Sequence, residues 1–233
     1  MEGAARSGLP KPDKVDDLMP DVIEAHALAA AILAGGRARR LGGANKAALE
    51  IGGLRMLDRQ LAVLRDVAST VFLVGGDPAQ APPGLRVVPD AVAGAGALGG
   101  IYTAIVESPC DRTIVVGCDM PFLSAALFRR MAEEDADLVI PRSVRGYEPL
   151  CAIYGRGCAA PIRARIDKGL LHAAVLPDGV QVRELGPEAL AAYDPDGLLF
   201  VNVNTPHDYE RAKAMMEWKP NSTEDRITTD QDA

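Results

Sequence analysis

The sequence predicts a three-layer α/β/α domain built on a mostly parallel sheet. Three observations carry this. Short apolar runs alternate with helical periodicities from residue 28 to residue 217, the pattern of successive strand–helix units. The strand-like runs, such as Thr70-Val-Phe-Leu-Val74 and Thr113-Ile-Val-Val-Gly-Cys118, are almost wholly apolar, as strands covered on both faces are. Their ends are marked by Gly, Pro and Asp: Gly75-Gly-Asp-Pro78, Pro89-Asp90 and Asp119-Met-Pro121.

Taken in order, residues 1–26 hold Gly3, Gly8, Pro10, Pro12 and Pro20 among charges and read as a mobile tail. One domain is expected over 27–217, with the polar stretch 218–233 disordered. Residues 27–34 form the first buried strand. Leu54, Leu57, Leu61 and Leu64 recur at spacings of three and four, which puts them on one face of a helix beginning after Gly52-Gly53. Strands follow at 70–74 and 85–88. After Gly94-Ala-Gly-Ala-Leu-Gly-Gly100, an apolar helical run covers Ile101–Val106. Thr113–Cys118 is a central strand. Ser124 caps the next helix, which turns Leu127, Phe128 and Met131 to the core. Strands are expected at 137–141 and 148–154, a helix broken near Lys168-Gly169 over 158–176, and an edge strand at 180–185. Thr205, Pro206 and Asp208 give the cap, first-turn proline and first-turn acid of a closing helix.

The 233 residues are 48% hydrophobic and 24% charged, with a formal charge of −7. That balance fits a globular chain with ample core and excludes a general nucleic-acid binder, which needs a broad basic face. No apolar run reaches the ~18 residues of a membrane span, and Glu2, Lys11, Asp13 and Lys14 interrupt any signal-peptide pattern. Cys110, Cys118, Cys151 and Cys158 form no C-x-x-C pair. Cys118 and Cys151 sit in strand-like runs and read as buried free thiols, which suits a cytoplasmic location. His26, His172 and His207 are scattered.

Against this acidic background, residues 35–46 carry four glycines, three arginines, one lysine and no acid. Glycine lets backbone N–H groups approach an anion, and arginine forks match phosphate oxygens. The loop also leaves the carboxyl end of a strand, where open α/β sheets bind ligands. A polyphosphate is the ligand these features fit; a solvated basic loop is the bland alternative. Two familiar phosphate motifs fail here: Lys46 lies between Asn45 and Ala47, so there is no Walker A loop, and the paired glycines are not G-x-G-x-x-G. Gly94, Gly96 and Gly99 do fit that spacing, but Pro89-Asp-Ala-Val-Ala93 separates them from the preceding strand, so dinucleotide binding is a weak rival. Asp119, at the end of a central strand, is placed either to hold Mg²⁺ with substrate phosphates or to cap the following helix.

Together, Leu33-Ala-Gly-Gly36, Arg39-Arg-Leu-Gly42 and Asn45-Lys46-Ala-Ala-Leu49 resemble the signature loop of molybdenum cofactor guanylyltransferases, the MobA-like nucleotidyltransferases. That family usually has Asp where this chain has Asn45. Gly96-Ala97-Leu98-Gly99-Gly100 resembles its Gly-Pro-Leu-Ala-Gly stretch, Cys118-Asp119-Met120-Pro121 its Cys-Asp-x-Pro, Pro149–Tyr154 its Pro-Leu-x-Ala-Leu-Tyr strand, and Phe200–Pro206 its Phe-x-Asn-x-Asn-Thr-Pro. The resemblance spans the domain and implies a Rossmann-like nucleotidyltransferase fold. It further implies transfer of GMP from GTP to the phosphate of molybdopterin, dependent on Mg²⁺, with release of pyrophosphate. By the same resemblance Arg39, Arg40 and Lys46 would steady the β,γ-phosphates, and Asp119 would bind the metal. Leu33, Ala34, Gly35, Gly36, Lys46, Asp90, Gly96, Leu98 and Asp119 would contact the nucleotide. Arg142, Tyr147, Pro149, Asn202 and Asn204 would face the acceptor, although residues 142–147 read equally as an exposed loop.

Two rivals stand beside this: a cytidylyl- or sugar-phosphate transferase of the same fold, and a non-catalytic nucleotide-binding accessory protein, which Asn45 invites. Leu33-Ala-Gly-Gly36 is closer to the guanylyl form than to the Leu-Ala-Ala-Gly of the cytidylyl branch. Expected partners are GTP and molybdopterin, with transient contact to other molybdenum cofactor enzymes, no nucleic acid and no membrane; the chain is expected to be a monomer or a weak homo-oligomer.

Overall fold

The computed structural model describes residues 27–35, 40–41, 44–45 and 49–217, with only the backbone described at Arg40, Leu41, Ala44, Asn45 and Glu217. The two expected tails, and Gly36, Arg39 and Lys46, lie outside the described residues. In chain order the strands of the main sheet are β1 (Leu28–Leu33), β2 (Thr70–Val74), β3 (Arg86–Val88), β4 (Arg112–Gly117), β5 (Leu138–Ser143), β6 (Gly146–Tyr147), β7 (Cys151–Gly155) and β8 (Val182–Leu185). The helices are α1 (Met56–Arg65), α2 (Gly96–Val106), α3 (Ala125–Ala132), α4 (Ala159–Asp167), α5 (Pro187–Leu190) and α6 (Pro206–Glu217). None of the described helices is long and apolar enough to cross a membrane.

The strand order is β6-β5-β7-β4-β1-β2-β3, with β8 alongside β5. β1 pairs in parallel with both β2 and β4, setting Ile32 opposite Leu73 on one side and Val116 on the other. β7 runs antiparallel between β4 and β5, so the sheet is mostly parallel with one reversed strand inside it. Side chains alternate across a strand, and β1 divides them cleanly. Leu28, Ala30 and Ile32 join Leu57, Leu61 and Leu64 of α1 and Leu127, Phe128 and Met131 of α3. Ala29, Ala31 and Leu33 join Leu98, Ile101 and Ile105 of α2 and Ile162 and Ile166 of α4. These are the three expected layers.

Several boundaries differ from the sequence reading; the strand expected at 148–154, for one, begins only at Cys151. Gly52 and Gly53, at φ 61° and 75°, form the two-residue turn of a small hairpin pairing Glu50–Ile51 with Leu54–Arg55. Leu54 therefore belongs to the hairpin and is 51% exposed, not on the face of α1. Helix α2 begins at Gly96, five residues before the expected Ile101. Gly100 is tolerated inside it because a Cβ there would lie 2.9 Å from Leu33 Cδ1, so glycine lets the helix press against β1. The helix expected over 158–176 ends at Asp167. Gly169 takes φ 72°, and the Arg165 guanidinium donates to the carbonyls of Leu170, His172 and Val175, folding that segment back as a loop. The edge strand shortens to four residues, Val182–Leu185, which pair in parallel with β5.

At the carboxyl end of β2, Gly75 has φ 71°. A Cβ there would sit 2.8 Å from Gly35 Cα and 3.0 Å from its nitrogen. Both the left-handed backbone and the close approach of two chain segments require glycine. Gly75→Ala is expected to cost about 2 kcal/mol or more in urea unfolding; a loss under about 0.5 kcal/mol would mean that the two segments separate freely.

Candidate active site

The carboxyl ends of β1, β2 and β4 open into a cleft of about 610 Å³ lined in part by Leu33, Gly35, Asp90, Gly96, Cys118 and Asp119. Its floor is built by backbone. Ala34 N–H donates to Val74 O and Gly75 N–H to Val88 O, each at 2.8 Å, so the strand exits are stitched together in the order of the sheet. On this floor the Asp90 carboxylate leans over Gly35: a Cβ at residue 35 would lie 3.2 Å from Asp90 Oδ2. The loop bearing Asp90 is held by Thr103, which is fully buried on α2. Its hydroxyl accepts from Ala91 N–H at 3.0 Å and donates to Gly99 O at 2.8 Å.

Gly94 and Gly96 have φ 78° and 60°. Nothing lies within 4 Å of a Cβ placed on either, so conformation, not crowding, calls for glycine there. Gly96 opens α2, whose amino end faces the cleft and offers N–H groups to an anion. Leu98 is 2% exposed in the core beneath. Its side chain does not line the cleft, because it occupies the sheet-facing side of α2 with Ile101 and Ile105.

Asp119 stands on the turn leaving β4. A Cβ added to Gly117 would be 2.6 Å from Asp119 Oδ1, so the carboxylate folds back over a glycine into the cleft. The turn is tied on several sides. Gly117 N–H donates to Leu150 O at 3.0 Å, Cys118 N–H to Leu33 O at 3.2 Å, and Met120 N–H to Gly117 O at 3.3 Å. Val203 N–H donates to Asp119 O at 2.8 Å, and Gln60 Nε2 donates to Gly117 O and Met120 O. Pro149, beside Leu150, accepts from Tyr154 OH at 2.9 Å.

A second cleft of about 630 Å³ is lined in part by Ser143, Arg145, Asn202, Asn204 and Arg211, and Val203, within the stretch that carries the two asparagines, is the residue bonded to Asp119 O. Asn202 Oδ1 is buried and has no hydrogen-bond partner among the described residues. Asn204 precedes a reciprocal cap: Asp208 Oδ2 accepts from Asn204 N–H at 3.0 Å and Thr205 N–H at 2.8 Å, and Thr205 Oγ1 accepts from Asp208 N–H at 3.1 Å. These backbone bonds hold the Asp208 carboxyl below its ordinary range. Arg145 donates to Phe200 O at 2.5 Å and to Glu148 Oε1 at 3.4 Å.

Arg142 and Tyr147 line neither cleft. They pair across the hairpin of β5 and β6, with the guanidinium 5.6 Å from the ring centroid. Tyr147 OH donates to Glu184 Oε2 at 2.9 Å, which raises the phenol's pKa, and Arg142 reaches Glu184 Oε1 at 3.4 Å. Arg40 is described only as backbone, in a short hairpin pairing Arg40–Leu41 with Ala44–Asn45.

Of the sequence-predicted residues, the structure brings Leu33, Gly35, Asp90, Gly96 and Asp119 together in one cleft and Asn202 and Asn204 in its neighbour. Gln60, Thr103 and Gly75 were missed. Only Gln60 left a signal: a polar side chain in the buried stripe Leu57-Gln60-Leu61-Leu64. Among the described residues no group of three His, Cys, Asp or Glu is placed to cage a metal ion. A cleft offering one or two carboxylates suits a hard cation held chiefly by substrate oxygens, as Mg²⁺ commonly is, better than a resident zinc.

Residues 30–178 match the family model of the MobA-like NTP transferase domain. The chain is 40% identical over 192 residues to a probable molybdenum cofactor guanylyltransferase of Pelotomaculum thermopropionicum, covering 80% of this chain and 92% of that protein. It is 32% identical over 190 residues to a molybdenum cofactor guanylyltransferase of Desulfosudis oleivorans, covering 80% and 94%. Its fold is similar to the crystal structure of molybdopterin-guanine dinucleotide biosynthesis protein A from Archaeoglobus fulgidus. The TM-score is 0.69 at 25% identity, covering 81% of this chain and 98% of that one.

The cysteines report on occupancy of the cleft. Cys118 was expected to be buried, but it is half-buried and lines the cleft, because the chain has already left β4 at Gly117. Cys151 is buried, and burial raises its thiol pKa; burial pushes that of Cys158 up to about 12. At pH 8 a thiol reagent should label Cys118 and spare Cys151 and Cys158 until the protein unfolds. A bound nucleoside triphosphate should slow labelling of Cys118 about tenfold or more, as steric cover of a half-buried thiol in the cleft would; unchanged labelling at saturating nucleotide would place the ligand elsewhere.

Proposed function

This chain belongs to the MobA-like NTP transferase family and is a nucleotidyltransferase, and from that premise we propose that it transfers GMP from GTP to the phosphate of molybdopterin. The observation that carries the proposal is Asp119, which lines the first cleft and whose carbonyl accepts from Val203, the residue between Asn202 and Asn204 of the second. A nucleotide in one and an acceptor in the other would meet beside one carboxylate. The guanylyltransferase names of the relatives support the choice of donor and acceptor.

In this reading an oxygen of the acceptor phosphate attacks the α-phosphorus of GTP. The bond from the α-phosphorus to the bridging α–β oxygen breaks, and pyrophosphate leaves with that electron pair. The nucleophile is already an anion, so no general base is needed, and positioning with charge neutralisation is the chain's whole task. Asp119 would hold Mg²⁺, which when bound neutralises phosphate charge. Arg39, Arg40 and Lys46 belong to the loop leaving β1 and would steady the β,γ-phosphates and the departing pyrophosphate. Gly36 and the backbone at Leu33, Ala34 and Gly35 would lie against the base, and Gly96 would bring the amino end of α2 to the nucleotide. Asp90 supports guanine over cytosine: a carboxylate can accept from both N1–H and the N2 amino group of guanine, whereas cytosine offers it one donor, the N4 amino group, beside the lone pair of N3. Glycine at 35 leaves room for that carboxylate, where alanine would crowd it. Asn202, with a buried carbonyl oxygen lacking a partner, and Asn204 would receive the acceptor, whose ring N–H groups supply the missing donor. Pro149 adjoins Leu150, which lines the first cleft, and Arg142 and Tyr147 would meet the acceptor only by leaving Glu184.

Asp119→Asn should keep the fold and the melting temperature while lowering Mg²⁺-dependent pyrophosphate release, with molybdopterin as acceptor, by about a hundredfold or more. Parental turnover in that variant would remove Asp119 from the mechanism. Calorimetric titration with GTP, CTP and ATP, with and without Mg²⁺, should show Mg²⁺-sensitive binding selective for GTP; preference for CTP would keep the mechanism and change the product.

A further inference from the structure

Gln60 is buried at 1% exposure on the otherwise apolar inner stripe of α1. Its Nε2 donates to Gly117 O at 2.7 Å and to Met120 O at 2.9 Å. Both partners are carbonyls and can only accept, so the amide has one workable orientation and both of its N–H groups are used. The remaining atom, Oε1, is buried with no hydrogen-bond partner among the described residues. For stability alone this is a poor choice, since a leucine or methionine would fill the space without stranding a carbonyl oxygen.

What the amide holds explains its presence. Gly117 and Met120 are the two ends of the turn that carries Asp119, and Gln60 bridges their carbonyls from beneath, on the side of the core. The other ties reach the turn from β1, from Leu150 and from Val203. Gln60 is the side chain that grips both ends at once. We propose that Gln60 is a positioning residue for Asp119: it fixes the pitch of the turn, and hence where the carboxylate meets the cation on the triphosphate. This rests on the reading of Asp119 as a metal ligand.

The test uses Gln60→Met, which keeps the shape and removes both donors, in the full-length protein. Leu64→Ala, in the same core stripe one turn farther along α1, is the control for lost stability. Two quantities are read besides melting: turnover against Mg²⁺ concentration, and the factor by which Mg²⁺ tightens GTP binding in calorimetry. Gln60→Met should lower kcat about 10- to 100-fold and raise the Mg²⁺ midpoint about tenfold, the range seen when supporting groups of metal ligands are removed. Binding of GTP without Mg²⁺ should stay within about twofold. Leu64→Ala should melt lower and keep the parental Mg²⁺ midpoint.

A Gln60→Met protein with parental kcat and parental Mg²⁺ enhancement of GTP binding would overturn the proposal, whatever its melting temperature. Should that variant fail to fold, Gln60→Asn, too short to span both carbonyls, is read by the same criteria. Asp119→Asn measured alongside separates the two ideas. If it loses the Mg²⁺ enhancement while Gln60→Met keeps it, the role of Gln60 falls alone. If it keeps the enhancement, Asp119 is not a metal ligand and both fall.

Discussion

The site depends on how completely the backbone around Asp119 is satisfied. From Gly117 to Met120, N–H and carbonyl groups find partners on β1, on the segment before β7, on the chain before α6 and on the side chain of Gln60. Such a turn has little freedom to drift, because each displacement strands a buried polar group. The partners come from widely separated parts of the sequence. The long-range folding of the sheet is therefore what places one carboxylate at the mouth of the cleft, and a residue as distant as Val203 helps to hold it.

Much of this was legible in the sequence, and the part that was not has a common cause. The three layers followed from alternating apolar runs, and β1 divides its side chains between two helical layers as a strand covered on both faces must. Asp119 was singled out because it ends a central strand, a position that aspartate and proline mark locally, whereas Asp90 and Gly96 came from the family resemblance; the structure sets all three in one cleft. Gly52-Gly53 was misread because the same dipeptide that starts a helix region also closes a two-residue hairpin, and only the pairing partner at Glu50–Ile51 decides between them. Thr103 and Gly75 were invisible because their roles are contacts across the fold, with Ala91 and with Gly35. Arg142 and Tyr147 read as acceptor contacts, and the partner that occupies them, Glu184, comes from an edge strand 37 residues beyond Tyr147.

With a nucleotide in the first cleft and a phosphate acceptor in the second, the chain would need little chemistry of its own. Among the described lining residues of the two clefts there is no histidine, and the cysteines that burial shifts upward in pKa lie in the core, away from both. A phosphate acceptor brings its own negative oxygen, so placement replaces proton transfer. The glycines fit this view: Gly35, Gly75 and Gly117 let backbone and carboxylates pack where any side chain would intrude, leaving a floor of peptide groups against which a base and a phosphate chain can lie.

The charge of the first cleft sharpens the case for a cation. Among its described lining residues the charged ones are Asp90 and Asp119, both acidic. A triphosphate entering such a cleft meets repulsion on the order of 3 kcal/mol for each unit pair ~6 Å apart at an effective dielectric of about 20. The amino end of α2 offsets only part of this, since a helix end carries about half a unit charge. The chain as a whole, at −7, offers no help. A nucleotide bound there would need its charge matched by a metal ion arriving with it or by the arginines and lysine that the sequence carries at 37–46, a stretch without an acid.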